Sequence, residues 1–128
     1  MNKKKILIVD DEVDFLKMVK LNLETTGKFE TLILSNANDI IAQIHSFKPD
    51  LILLDMVMPG IGGIEVCEML NQDVLGQRLP ILILSALDKE KDKLLAFKKG
   101  VVGYLTKPIE KEELIAKIEN ALSFKTTE

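Results

Sequence analysis

The strongest constraint on the fold is a repeated alternation of short apolar runs with longer amphipathic segments. Residues 5–9, a lysine followed by four apolar residues, read as a short strand covered on both faces. Residues 13–24 follow, with Leu16, Val19 and Leu23 on one helical stripe that stops before Gly27. A second strand is expected at 29–34. Asn36 or Asn38 then caps a helix whose Ile40, Ile41, Ile44 and Phe47 fall at helical spacing. Lys48, Pro49 and Asp50 break that helix, and residues 51–54 make a buried strand ending at Asp55.

The second half repeats the pattern. A loop rich in Pro and Gly at 58–63 leads into a helix bearing Val66, Cys67 and Leu70. Pro80 precedes a strand at 81–84, and residues 89–99 read as a helix stopped by Gly100. Tyr104 and Leu105 belong to a fifth short strand. Residues 110–122 close the chain as a helix with Leu114, Ile115, Ile118 and Leu122 inward. Five strands alternating with five helices predict an α/β fold with a doubly wound parallel sheet, because right-handed crossovers place helices on both faces. The length of 128 residues suits one domain, 1–128, with its core at about 4–122.

Composition excludes several functions. With 17 basic and 20 acidic residues the net charge is −3, which argues against direct nucleic-acid contact. No apolar run approaches the roughly 18 residues of a membrane span, so no membrane association is expected. Lys3, Lys4 and Lys5 precede only four apolar residues before Asp10, too few for a secretory signal. The single cysteine, Cys67, excludes an internal disulfide and fits a reducing compartment, the cytoplasm.

Ligands of doubly wound sheets bind beyond the carboxyl ends of the strands. The residues there are Asp10 and Asp11 after the first strand, Asp55 after the third, Ser85 after the fourth and Lys107 after the fifth. An Asp ending a strand is, taken singly, a turn former or helix cap. Three converging carboxylates instead repel one another unless a cation joins them. A hard divalent ion with oxygen ligands, Mg²⁺ above all, is the natural occupant. No G-x-x-x-x-G-K-[ST] loop is present, nor a G-x-G-x-x-G after the first strand.

As a set, Ile8-Val9-Asp10-Asp11-Glu12, Leu53-Leu54-Asp55-Met56-Val57-Met58-Pro59-Gly60, Leu84-Ser85-Ala86 and Tyr104-Leu105-Thr106-Lys107-Pro108 resemble the receiver domains of two-component response regulators, including the chemotaxis receivers. The resemblance runs over nearly the whole chain. It implies a flavodoxin-like sheet of order 2-1-3-4-5. It further implies that Asp55 is phosphorylated by a sensor histidine kinase or phosphotransfer protein. Asp11 and Asp55 would ligate Mg²⁺ directly, with the backbone carbonyl of Val57, while Asp10 acts through water. Lys107 and Ser85 would contact phosphoryl oxygens, and Tyr104 would turn inward as Ser85 moves. The Lys107–Pro108 bond is expected to be cis.

The same resemblance implies a regulatory domain that catalyses only its own phosphorylation and dephosphorylation. Its fourth helix, fifth strand and fifth helix would address an output partner or effector domain, and one candidate output is a phosphorylation-dependent homodimer. The chain departs from many relatives at Gly62, where Asp or Asn is common, at Val101-Val102-Gly103, and at Ser85, where Thr is commoner. Val57 and Leu87 are apolar at positions that flank the path of hydrolytic water in this family, which predicts a long-lived phosphorylated form.

Two other functions compete. Hydrolases resembling the haloacid-dehalogenase phosphatases need D-x-D at the first strand, whereas Asp10-Asp11-Glu12 stands here. A phosphorylation-independent interaction module would ordinarily lose an acidic residue or the lysine, and both are kept. Cys67 reads as plain core, His45 as a surface residue and residues 89–93 as a solvated helix face. Phe97 fits core and partner face equally. Without an effector domain after Ser123, the chain is either a free-standing regulator or the excised receiver of a longer one.

Overall fold

A computed structural model describes residues 2–86 and 89–123. Its strands are β1 (Lys4–Val9), β2 (Phe29–Leu34), β3 (Leu51–Leu54), β4 (Ile81–Ser85) and β5 (Gly103–Thr106). The helices are α1 (Val13–Glu24), α2 (Ile40–Phe47), α3 (Gly63–Asn71), α4 (Glu90–Lys98) and α5 (Lys111–Leu122). The strands form one sheet in the order β2-β1-β3-β4-β5, and every pairing is parallel.

The strand side chains alternate between two buried layers, as a period of two requires. Leu7, Val9, Ile52, Leu54, Ile81 and Ile83 pack with Ile40 and Ile44 of α2, Val66, Cys67 and Leu70 of α3 and Ala96 of α4. Ile6, Ile8, Leu51, Leu53, Leu82 and Leu84 face the other way, onto Leu16, Val19 and Leu23 of α1 and Leu114, Ile118 and Ala121 of α5. Apolar burial on both faces explains why these strands read as unbroken apolar runs.

Helix ends follow local chemistry, with one departure from expectation. Neither Asn36 nor Asn38 caps α2. The Asn36 side chain instead accepts the Asn38 N–H at 3.0 Å, closing a turn two residues on, and Asp39 holds the cap position without a side-chain cap bond. At the other end Lys48 takes a left-handed conformation with φ 55°, directly before Pro49. Gly100 ends α4 with φ +97°, donating to the Phe97 carbonyl at 3.1 Å.

A 3-10 turn at Gly76–Arg78 was not foreseen from the residue pattern. Asp73 holds it, accepting from the N–H groups of Leu75 at 3.0 Å and Gly76 at 2.8 Å. His45 Nε2 lies 2.9 Å from the same carboxylate and braces α2 against this turn. These bonds, the His45 contact first, hold the Asp73 pKa below the usual carboxylate value. Cys67 is fully buried, and burial pushes its thiol up to about 11. Of α4 only Ala96 is buried, while Leu94, Leu95 and Phe97 are exposed, which answers the open question of Phe97.

Candidate functional site

Backbone register brings the two buried carboxylates together. Val9 pairs with Leu54, and the Asp55 N–H extends that ladder to the Val9 carbonyl at 2.9 Å. Asp10 donates its N–H to Leu34 at 3.1 Å on the other side. Each aspartate is thus the first residue past its strand, and both are buried. Asp11 lies exposed at the rim. One carboxylate oxygen from each of Asp10, Asp11 and Asp55 lies within 4.8 Å of the others.

The loop after Asp55 turns back sharply. Gly63 opens α3 and donates to the Met56 carbonyl at 2.9 Å. A Cβ on Gly63 would stand 2.8 Å from both the Asp55 carbonyl oxygen and the Met56 Cα. Only glycine lets α3 start this close beneath the aspartate. Gly62, the cap residue, donates its N–H to Glu65 Oε1 at 3.0 Å, which compensates in part for its missing side chain. The Val57 side chain is exposed, and its backbone N–H is hydrogen-bonded to the Asp55 carboxylate. Leu87 lies outside the described residues.

Ser85 ends β4, buried, and its carbonyl accepts the Lys107 N–H at 2.8 Å. Its hydroxyl hydrogen-bonds with the Asp55 carboxylate and with the Tyr104 phenol. Tyr104 is half-buried against the α2–α3–α4 layer, and the Lys93 ammonium lies 5.9 Å from its ring centroid. Burial raises the Tyr104 pKa, with the Ser85 bond acting against it. The Lys107–Pro108 bond is cis.

The Lys107 ammonium hydrogen-bonds to Asp10 Oδ2 at 2.7 Å and to Glu12 Oε1 at 2.8 Å, and sits 4.2 Å from the Phe15 ring centroid. Burial opposes its charge, but the bonds to Asp10 and Glu12 outweigh that and raise its pKa above the usual lysine value. The Glu12 pKa is lowered in return by the hydrogen bond and charge of Lys107. Asp55 is different. Burial, then the charge of Asp10, raises its pKa, while Lys107, the Val57 N–H and Ser85 only partly offset them.

All the sequence-predicted strand-end residues therefore meet in one cleft. Glu12 and Phe15, by contrast, were not foreseen as partners of Lys107. The available signal was Phe15 itself, an aromatic residue standing just off the buried Leu16–Val19–Leu23 stripe of α1.

A family model described as the response regulator receiver domain matches residues 6–119. The chain belongs to the response regulator receiver family. It is 40% identical over 119 residues to the alkaline phosphatase synthesis transcriptional regulatory protein PhoP of Bacillus subtilis, covering 93% of this chain and 48% of that protein. Identity to the phosphate regulon transcriptional regulatory protein PhoB of Pseudomonas aeruginosa is also 40%, covering 93% of this chain and 52% of that protein. The chain thus spans about half the length of the curated relatives it matches. Among solved structures, a CheY-like response regulator receiver domain protein of Methanospirillum hungatei superposes with a TM-score of 0.89 at 26% identity, covering 98% of both chains. The Vibrio cholerae chemotaxis protein CheY4 gives 0.88 at 25% identity, over 94% of this chain and 99% of that one.

Receiver domains are regulatory rather than enzymes in the ordinary sense. Among the described residues, no helix of this receiver is long and apolar enough to cross a membrane. Its three convergent carboxylates are hard oxygen donors at a spacing that suits one small divalent cation.

Proposed function

We propose that this receiver is a cytoplasmic phosphoacceptor switch. Asp55 takes a phosphoryl group from the phosphohistidine of a sensor histidine kinase or phosphotransfer protein, with Mg²⁺ as cofactor. The observation that carries this reading is the Asp55 carboxylate itself. It is buried at the end of the central strand, within 4.8 Å of two more carboxylates and hydrogen-bonded to the Ser85 hydroxyl.

In the transfer, an Asp55 oxygen attacks phosphorus as the bond to the histidine nitrogen breaks, and that nitrogen leaves with the electron pair. Later attack by water returns the Asp55 carboxylate and inorganic phosphate. Mg²⁺, when bound, would supply positive charge against the oxygens of the transferring group. Asp11, Asp55 and the Val57 carbonyl would hold it. Asp10 would act through water, since both its oxygens are already engaged, one by Lys107 and one by the Glu12 N–H at 2.9 Å. Lys107 would pair with one phosphoryl oxygen and Ser85 with another.

The switch follows from Ser85. Phosphorylation would draw its hydroxyl toward the new acceptor oxygens and away from the Tyr104 phenol it meets here. Tyr104 then repacks between β5 and α4, and the α4–β5–α5 face changes for its partner. Exposed Leu94, Leu95 and Phe97 supply apolar area for that contact. The occupant would be an effector domain, an output protein or a second copy in a phosphorylation-dependent homodimer, with no direct grip on nucleic acid by this domain.

Incubation with Mg²⁺ and acetyl phosphate tests the assignment by mass spectrometry. The wild type should gain one phosphoryl group and Asp55→Asn none. Equal labelling of the variant would overturn it.

A further inference from the structure

We propose that Glu12 and Phe15 form a latch that parks the Lys107 ammonium beside Asp10 and opens when a phosphoryl group occupies Asp55. The opening half rests on the phosphoacceptor reading above; the parked half stands on the geometry alone.

An ammonium has three donors and no acceptor. Lys107 spends one on Asp10 Oδ2 at 2.7 Å and one on Glu12 Oε1 at 2.8 Å. The Phe15 ring, 4.2 Å away, covers another side, well inside the range at which an aromatic face attracts a cation. Neither hydrogen bond goes to Asp55. The lysine side chain is 13% exposed, so these partners, rather than water, decide where it points.

Both arms of the latch come from the start of α1. Glu12 is its cap residue, with its N–H fixed on Asp10 at 2.9 Å and its carbonyl on the Leu16 N–H at 3.0 Å. Its carboxylate projects to the surface, where the ion pair is strained by no packing and can open at little cost. Phe15 is half-buried and packs against the α1–α5 layer, so its ring stays when the lysine leaves. A phosphoryl group on Asp55 offers acceptor oxygens that carry more charge than one carboxylate. In the latch, Lys107 leaves Glu12 and the ring as it turns toward them. Glu12 and Phe15 are therefore positioning residues, which set how much of the phosphoryl interaction is lost in freeing the lysine.

Two readouts test this. Proton NMR of the lysine ε-methylene should place Lys107 upfield in the free wild type relative to Phe15→Leu, because the ring current acts only while the side chain is parked. Phe15→Tyr keeps a ring and should restore the upfield position. At saturating Mg²⁺ and beryllofluoride, an analogue of the phosphoryl group, the wild-type signal should move to the Phe15→Leu value. Glu12→Gln and Phe15→Leu should each bind beryllofluoride more tightly, by a factor of about two to ten. Asp14→Asn, which removes a nearby exposed charge without touching Lys107, should change affinity less than either.

Coincident Lys107 signals in the free wild type and Phe15→Leu would overturn the latch. A signal that stays upfield at saturation would overturn its opening, as would unchanged or weaker analogue binding by both latch variants. If fluorine-19 NMR shows no bound beryllofluoride at all, the phosphoacceptor reading fails and the opening with it. The comparison in the free protein still decides the parked state.

Discussion

Replacing Asp55 with asparagine should make the fold more stable at neutral pH. The change removes one of three negative charges whose oxygens lie within 4.8 Å, yet keeps the side chain's shape and an oxygen for the Val57 N–H. At this separation two unit charges repel by about 3.5 kcal/mol at an effective dielectric of ~20 and by about 1 kcal/mol in water. Lys107 at 2.7 Å cancels much of the Asp10 charge, and Asp11 is exposed to solvent. The expected gain therefore lies toward the lower figure, about 1–2 kcal/mol, or roughly 3–10 °C in Tm for a domain of this size.

The pH dependence carries the sign. Burial, with Asp10 behind it, raises the Asp55 pKa above its ordinary 3.8, so the folded protein binds this proton more tightly than the unfolded chain. Wild-type stability then gains from Asp55 as pH falls through the folded pKa, and the gain is complete below the ordinary value. The asparagine variant has no such proton, so its advantage should shrink on acidification. Urea unfolding followed by far-UV circular dichroism, in chelator and across that range, reads the gap directly. Mg²⁺ should narrow it from the other side, since metal at ten times its Kd adds about 1.4 kcal/mol to the wild type alone. A variant no more stable than wild type at neutral pH, or a gap constant on acidification, would refute the reasoning.

Asp11→Ala should abolish Mg²⁺ binding while leaving the domain folded. Fluorescence checks this simply, because Tyr104 is the only tyrosine in a chain without tryptophan. Gly63→Ala should cost about 1–3 kcal/mol and displace Asp55, because the new Cβ meets the Asp55 carbonyl oxygen and the Met56 Cα at 2.8 Å; thermal unfolding and acetyl phosphate labelling report the two effects. Val57→Asn combined with Leu87→Glu should speed loss of the acyl phosphate after donor removal, by offering polar groups that orient water. Equal or slower decay would show that water access is controlled elsewhere.

Most of the fold was legible because burial on both faces leaves a plain mark. Leu51–Leu54 can be apolar throughout only where both sides are covered, and that run is indeed the middle of the sheet. Helix α4 was legible as a helix, yet its partner surface was not. One small residue, Ala96, suffices to seat it, and no periodic stripe announces so narrow a contact. Caps failed for a related reason. Asn36 and Asn38 each carried the chemistry of a cap, but the Asn36 amide was better satisfied within its own turn.

The site divides along the same line. Asp10, Asp55, Ser85 and Lys107 were legible as one cleft because a parallel sheet carries each strand's last residue to the same edge, whatever the side chains do. Register fixes Cα positions: Val9 against Leu54 and Ser85 against Thr106. Where Lys107 then points is a separate question, since four methylenes let its ammonium reach several carboxylates. The choice falls on Asp10 and Glu12 because Asp10 is buried beside it and the start of α1 brings Glu12 and Phe15 against its ammonium. That start lies more than ninety positions away in sequence. Strand-end chemistry can thus be read from residue types in order, whereas the resting partner of a long flexible cation depends on how a distant helix enters the cleft.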